Sequence, residues 1–106
     1  MDESPAGYRL LLCYDVSEER MQEYYRFMLG RYVPMVQALG LDMSDAWHTA
    51  YGDFPNRLVG FVSRDRETID DLLENETWQA LNEELQRFVS GFDYRVVPYR
   101  EGFQFF

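Results

Sequence analysis

The sequence predicts an α+β domain in the order strand, helix, strand, strand, helix, strand. Two observations carry that expectation: four short apolar runs are bounded by turn-forming residues, and two longer stretches repeat apolar residues at spacings of three and four. A third is negative, because no internal repeat or low-complexity segment competes with the pattern. The length of 106 residues suits one domain, and an apolar content of 46% suits a packed core.

The opening MDESPAG, residues 1–7, is polar and contains Pro and Gly, so it reads as a frayed leader to a single domain over 8–106. YRLLLCYD is the first strand. Ser17 suits an N-cap, with Glu18 and Glu19 favourably placed at the positive end of a helix dipole. Met21, Tyr24, Met28, Tyr32, Met35 and Leu39 then mark one stripe of an amphipathic helix. Gly30 weakens that helix, and Pro34 removes a backbone donor and should kink it or split off its last turn. Gly40 stands where a left-handed C-cap is wanted.

DAWHTAY and RLVGFVS are the next two strands, joined into a hairpin by GDFPN, whose Gly, Pro, Asp and Asn each favour a turn. Asp53 and Asn56 are assigned to that turn. A second amphipathic helix carries Ile69, Leu72, Leu81, Leu85 and Phe88, with Gly91 closing it. ENETW breaks its phase and predicts either a local irregularity or a short helix followed by a longer one, with Thr77 or Asn75 capping the second piece. FDYRVVPY is the fourth strand, and Pro98 marks an edge or bulge at its end. The tail REGFQFF is strongly aromatic. A split βαβ unit repeated in this way is the ferredoxin-like arrangement, a four-stranded antiparallel sheet with two helices on one face.

Alternation along the strands then sorts side chains between two faces. Leu10, Leu12 and Tyr14 are expected to face the helices, with Arg9, Leu11, Cys13 and Asp15 on the bare face. In the third strand Val59, Phe61 and Ser63 are assigned to the bare face, and in the fourth Asp93, Arg95 and Val97. That face is too apolar for water, and covering it with the same face of a second chain makes a homodimer enclosing a semi-polar cleft. The aromatic content of 17%, with eight Tyr and eight Phe, is consistent with ring surface held against a partner or cavity.

The segment PMVQALGLDMSDAWHTAYGDFPNRLVGFVSRD resembles the NIPSNAP-like branch of the dimeric α+β barrel superfamily. The likeness rests on Pro34, Gly40, Trp47, Thr49, Gly52 and the apolar run from Leu58 to Val62. ETWQALNEELQRF is similar to that family's second helix, where a Trp begins the amphipathic part. The resemblance implies the ferredoxin-like fold and the paired barrel. It selects no activity, since the superfamily includes cofactor-free monooxygenases, haem-handling proteins and EthD-like members.

A net charge of −9 opposes nucleic acid and anionic lipid. One cysteine cannot form an internal disulfide, and with no signal peptide or membrane-spanning run the expected location is the cytoplasm. One His and one Cys cannot build a structural zinc site, so no metal and no cofactor is expected. No phosphate-cradling Gly loop or nucleophile elbow is present.

His48, placed on the cleft side with Ala46 and Ala50, is either a catalytic base or ligand contact, or a strand imidazole bonded to a carboxylate or carbonyl. Arg9 and Arg95, on neighbouring strands, can hold an anionic group or pair with carboxylates across the dimer. Cys13 reads as a buried thiol. The cleft residues are therefore Arg9, Cys13, His48, Phe61 and Arg95. Three functions remain open: binding of a small, largely apolar molecule, a cofactor-free monooxygenase-like or lyase-like enzyme with His48 as base, and a structural dimer whose cleft is filled by its own tail.

Overall fold

A computed structural model describes residues 7–48 and 56–99. Four antiparallel strands form one sheet in the order β2-β3-β1-β4. They are β1 (Gly7–Val16), β2 (Asp42–His48), β3 (Arg57–Ser63) and β4 (Val89–Tyr99). Gly7, expected at the end of the leader, opens β1. The ferredoxin-like order is confirmed, and β1 and β4 are neighbours as expected.

The first helical stretch keeps its apolar stripe but is not one uniform helix. After a 3₁₀ turn (Glu18–Arg20) come α1 (Met21–Phe27), a π turn (Met28–Tyr32) and α2 (Val33–Ala38). In an unbroken α-helix the Pro34 ring would meet the carbonyl of Gly30. The wider π turn just before it relieves that clash, so the expected disruption at Pro34 is met by a change of helix type. Ser17 has the extended backbone of a cap, but its side chain makes no capping bond. At the other end Gly40 adopts φ 105°, with Gly40 N–H bonding to Gln37 O at 3.0 Å and Leu41 N–H to Val36 O at 3.3 Å. This is a Schellman cap, and it turns Leu41 fully into the core.

The second stretch divides at ENETW into α3 (Arg66–Glu74) and α4 (Glu76–Leu85). Asn75 is the cap, its Oδ1 accepting from Trp78 N–H at 3.0 Å. The helix ends at Leu85, earlier than its periodicity suggests, and a turn leads directly into β4. Gly91 therefore closes no helix. It sits in β4 at φ 66°, where pairing with β1 shifts between Cys13↔Asp93 and Asp15↔Ser90. Two β4 residues, Gly91 and Phe92, face the single Tyr14, which is a β-bulge with glycine in the left-handed position.

The core lies between the sheet and these helices. Leu10, Leu12, Tyr14, Phe61, Ile69 and Trp78 are among its most deeply buried residues. Two hydrogen bonds join polar groups inside it: Trp78 Nε1–H donates to Tyr32 Oη at 2.9 Å, and Tyr32 O–H donates to Asn82 Oδ1 at 2.6 Å. These two bonds tie the π turn to α4.

Two glycines should answer oppositely to substitution. A Cβ at Gly30 meets nothing within 4 Å, so Gly30→Ala is expected to raise stability by about 0.5–1 kcal/mol in urea titration. Gly91→Ala, forced into positive φ, should lower it by about 1–2 kcal/mol.

Candidate functional site

Directly opposed residues of an antiparallel pair share a face, so the strand registers decide which side chains meet. Leu10 opposes Phe61 and Val96, and Leu12 opposes Val59 and Tyr94. These rows face the helices. The alternate rows are Arg9 with Val62 and Val97, Leu11 with Gly60 and Arg95, and Cys13 with Leu58 and Asp93. In them Leu11, Cys13, Leu58, Val62 and Val97 are half-buried, while Asp93 and Arg95 are exposed.

Arg9, Cys13 and Arg95 thus occupy the open face, as expected. Phe61 does not. It is fully buried on the helix side, its ring 6.3 Å from that of Tyr32. The correction has a simple cause: both parities of RLVGFVS are apolar, so alternation alone could not choose between them, and the pairing with β1 puts Leu58 and Val62 outside instead.

Arg9 and Arg95 are diagonal neighbours, since Arg9 opposes Val97 and Arg95 opposes Leu11. Diagonal positions stand roughly 7–8 Å apart, close enough for two guanidinium groups to address one ligand. Burial pushes the Cys13 thiol pKa up, Arg95 pulls it down and Asp93 pushes it up again, with burial dominant. The group is a neutral thiol at pH 7 rather than a nucleophile.

β2 carries a second irregularity. Its pairing with β3 shifts between Met43↔Phe61 and Asp45↔Gly60, leaving Ser44 as an extra residue. Beyond it Ala46 is level with Val59, Trp47 with Leu58 and His48 with Arg57. The expected parity, with Ala46 and His48 in the cleft rows, is reversed in register. The side chains of Trp47 and His48 lie outside the described residues, as do Thr49, Ala50, Asp53 and the tail over 100–106.

A polar cluster that sequence reasoning missed lies on the helix side at the β3 start. Asn56 is more than a turn residue. Its Oδ1 accepts from Val16 N–H at 2.9 Å and its Nδ2–H donates to Val16 O at 3.1 Å, imitating one step of a strand pairing. Its own N–H donates to Asp15 Oδ1 at 2.8 Å. Arg57 follows, in register with Tyr14 and only 7% exposed. It donates to Asn56 O, to Met21 Sδ at 3.1 Å and to Tyr25 Oη at 3.0 Å. Beside it the phenol oxygens of Tyr14 and Tyr24 are 2.6 Å apart. The available signal was parity, because Arg57 shares a row with Val59 and Phe61 once the β3 phase is known.

Elsewhere the surface holds a shallow cleft of about 410 Å³ between α1, the π turn and α4, floored by Phe27 and Phe88 and crossed by an Arg31–Glu84 ion pair. No group of three His, Cys, Asp or Glu side chains that could hold a metal occurs among the described residues. No helix among them is long and apolar enough to cross a membrane.

A four-stranded antiparallel sheet in this order, with helices on one face, defines the ferredoxin-like class. Within it the chain has the fold of NIPSNAP proteins. It superposes on a NIPSNAP family protein of Agrobacterium tumefaciens with a TM-score of 0.63 and 18% identity, over 96% of this chain and 93% of that one. An uncharacterized NIPSNAP-like domain protein of Burkholderia xenovorans gives 0.66 and 12%, over 92% and 88%. A putative antibiotic biosynthesis monooxygenase of Nitrosomonas europaea gives 0.68 and 11%, over 98% of both chains. No protein-family model and no curated protein matches the sequence.

Burial raises the phenol pKa of Tyr14, Tyr24 and Tyr32 above the ordinary value of 10.0. The unfolded chain therefore releases these protons near pH 10 while the folded chain retains them, so stability falls as pH rises from there. Urea midpoints should be flat with respect to these groups below about pH 9 and drop steeply above about pH 10. Tyrosinate absorbance from these three residues should appear only with unfolding.

Proposed function

We propose that the chain works as a homodimer joined through its open sheet face, and that the cleft so enclosed binds a small, largely apolar molecule. The observation that carries this reading is the row of half-buried Leu11, Leu58, Val62 and Val97 on a face that no helix among the described residues covers. Burying such a side chain fully is worth about 1.5–3 kcal/mol relative to full exposure, and up to about a third of that is still to be gained at each. Covering the face with its own copy satisfies all four at once. Arg9 and Arg95 supply the polar contacts that orient a ligand, and Cys13 a small, neutral wall. The fold shared with the NIPSNAP structures supports the same reading.

Sedimentation at micromolar concentration should give a dimer, and native mass spectrometry of the purified protein should show a copurified small molecule. Leu58→Asp is expected to yield monomers and to expose Cys13 to alkylation at least tenfold faster. A wild-type monomer with a freely reactive Cys13 would remove the reading.

The name of the Nitrosomonas europaea neighbour favours a second reading, a cofactor-free monooxygenase with His48 as base. On that reading His48→Ala abolishes turnover of an aromatic substrate while the dimer persists, and full turnover in the variant excludes it.

A further inference from the structure

Arg57 carries a permanent positive charge, is 7% exposed, and has no carboxylate within ion-pair distance among the described residues. That is unexpected in a chain with 19 acidic and 10 basic residues. A buried charge is normally paired, because the uncompensated state costs several kcal/mol. Among the described residues the partners of Arg57 are neutral: a backbone carbonyl, the Tyr25 hydroxyl and ring, and a thioether sulfur. The thioether is a weak acceptor, so Met21 Sδ occupies a position better suited to an oxygen.

The adjoining phenols add to the imbalance. Tyr14 and Tyr24 bring two O–H protons, and their mutual bond uses one. Whichever ring donates, the other proton has no acceptor among the described residues. The cluster is thus rich in donors, poor in acceptors and positively charged, which is the complement of an oxyanion. Access is built from one side of α1. Met21 is partly exposed and Tyr25 is 45% exposed, one helical turn apart. The unbranched Met side chain can swing away without disturbing the backbone. The mouth so opened is lined by a thioether and an aromatic ring, which suit an apolar body.

We propose that Arg57, with Tyr14, Tyr24 and Tyr25, forms a binding site for a small organic carboxylate bearing an apolar or aromatic body, whose oxygens replace Met21 Sδ as acceptors. The site lies on the helix side of the sheet, opposite the open face, so it does not depend on the dimer cleft.

Sodium benzoate is the probe, benzamide its uncharged counterpart and sodium chloride the inorganic control. Benzoate at millimolar concentration should raise the melting temperature of the full chain and give a calorimetric isotherm. Benzamide and chloride should do neither. Arg57→Met, which keeps length but removes the charge, should abolish the benzoate response. Without benzoate this variant should melt no lower than wild type, since an uncompensated charge has been removed, whereas a purely structural arginine would leave it less stable. Replacing both phenols, Tyr14→Phe together with Tyr24→Phe, removes the proton left over from their mutual bond and should weaken benzoate about tenfold, which decides the matter if Arg57→Met does not fold. A missing benzoate response, an equal response to benzamide or chloride, or unchanged benzoate affinity in either folded variant overturns the proposal.

Discussion

β1 lies between β3 and β4, and its two faces meet different solvents. Leu10, Leu12, Tyr14 and Val16 are buried against the helices, while Arg9, Leu11 and Cys13 alternate with them on the uncovered side. Because side chains alternate with a period of two, shifting this strand by one residue would exchange the faces completely. The burial of those four residues therefore sets the register of both neighbours, and through them the composition of the open face. Every candidate binding residue on that face inherits its position from this one constraint.

The sheet departs from strict alternation at two points, and both matter for where chemistry can occur. The bulge at Gly91 and Phe92 lets Phe92 stack 6.3 Å from Tyr14 while Tyr94 packs against Trp78 at 5.4 Å. The bulge at Ser44 resets β2, so that His48 becomes level with Arg57 and Tyr14 across three strands. Two bulges thus bring distinct chemistry to the β1 C-terminal end of the sheet, the same end at which Asn56 holds Val16 through two side-chain bonds.

Polar groups in the interior follow two different economies. In the Trp78–Tyr32–Asn82 chain the indole and the phenol proton each have an acceptor, and the chain links the π turn to α4. The Arg57 cluster is open, with more donors than acceptors and no carboxylate in ion-pair contact among the described residues. Fully satisfied networks rigidify a fold, whereas an unpaired polar group in the interior is costly.

Local chemistry was legible in the sequence wherever it acts within a few residues. The order of elements, the disruption near Pro34, the Gly40 cap, the break at ENETW and the Asn75 cap all depend on backbone donors and on φ preferences that a short segment carries by itself. The placement of Arg9, Cys13 and Arg95 was legible too, because charged residues alternate with apolar ones in β1 and β4. The face of Phe61, the row of His48 and the burial of Arg57 were decided only by tertiary pairing. RLVGFVS is apolar on both parities, and a bulge changes parity without leaving a distinctive residue behind. Which side of such a strand is core depends on the partner strand it meets, and that partner lies more than 40 residues away in the chain.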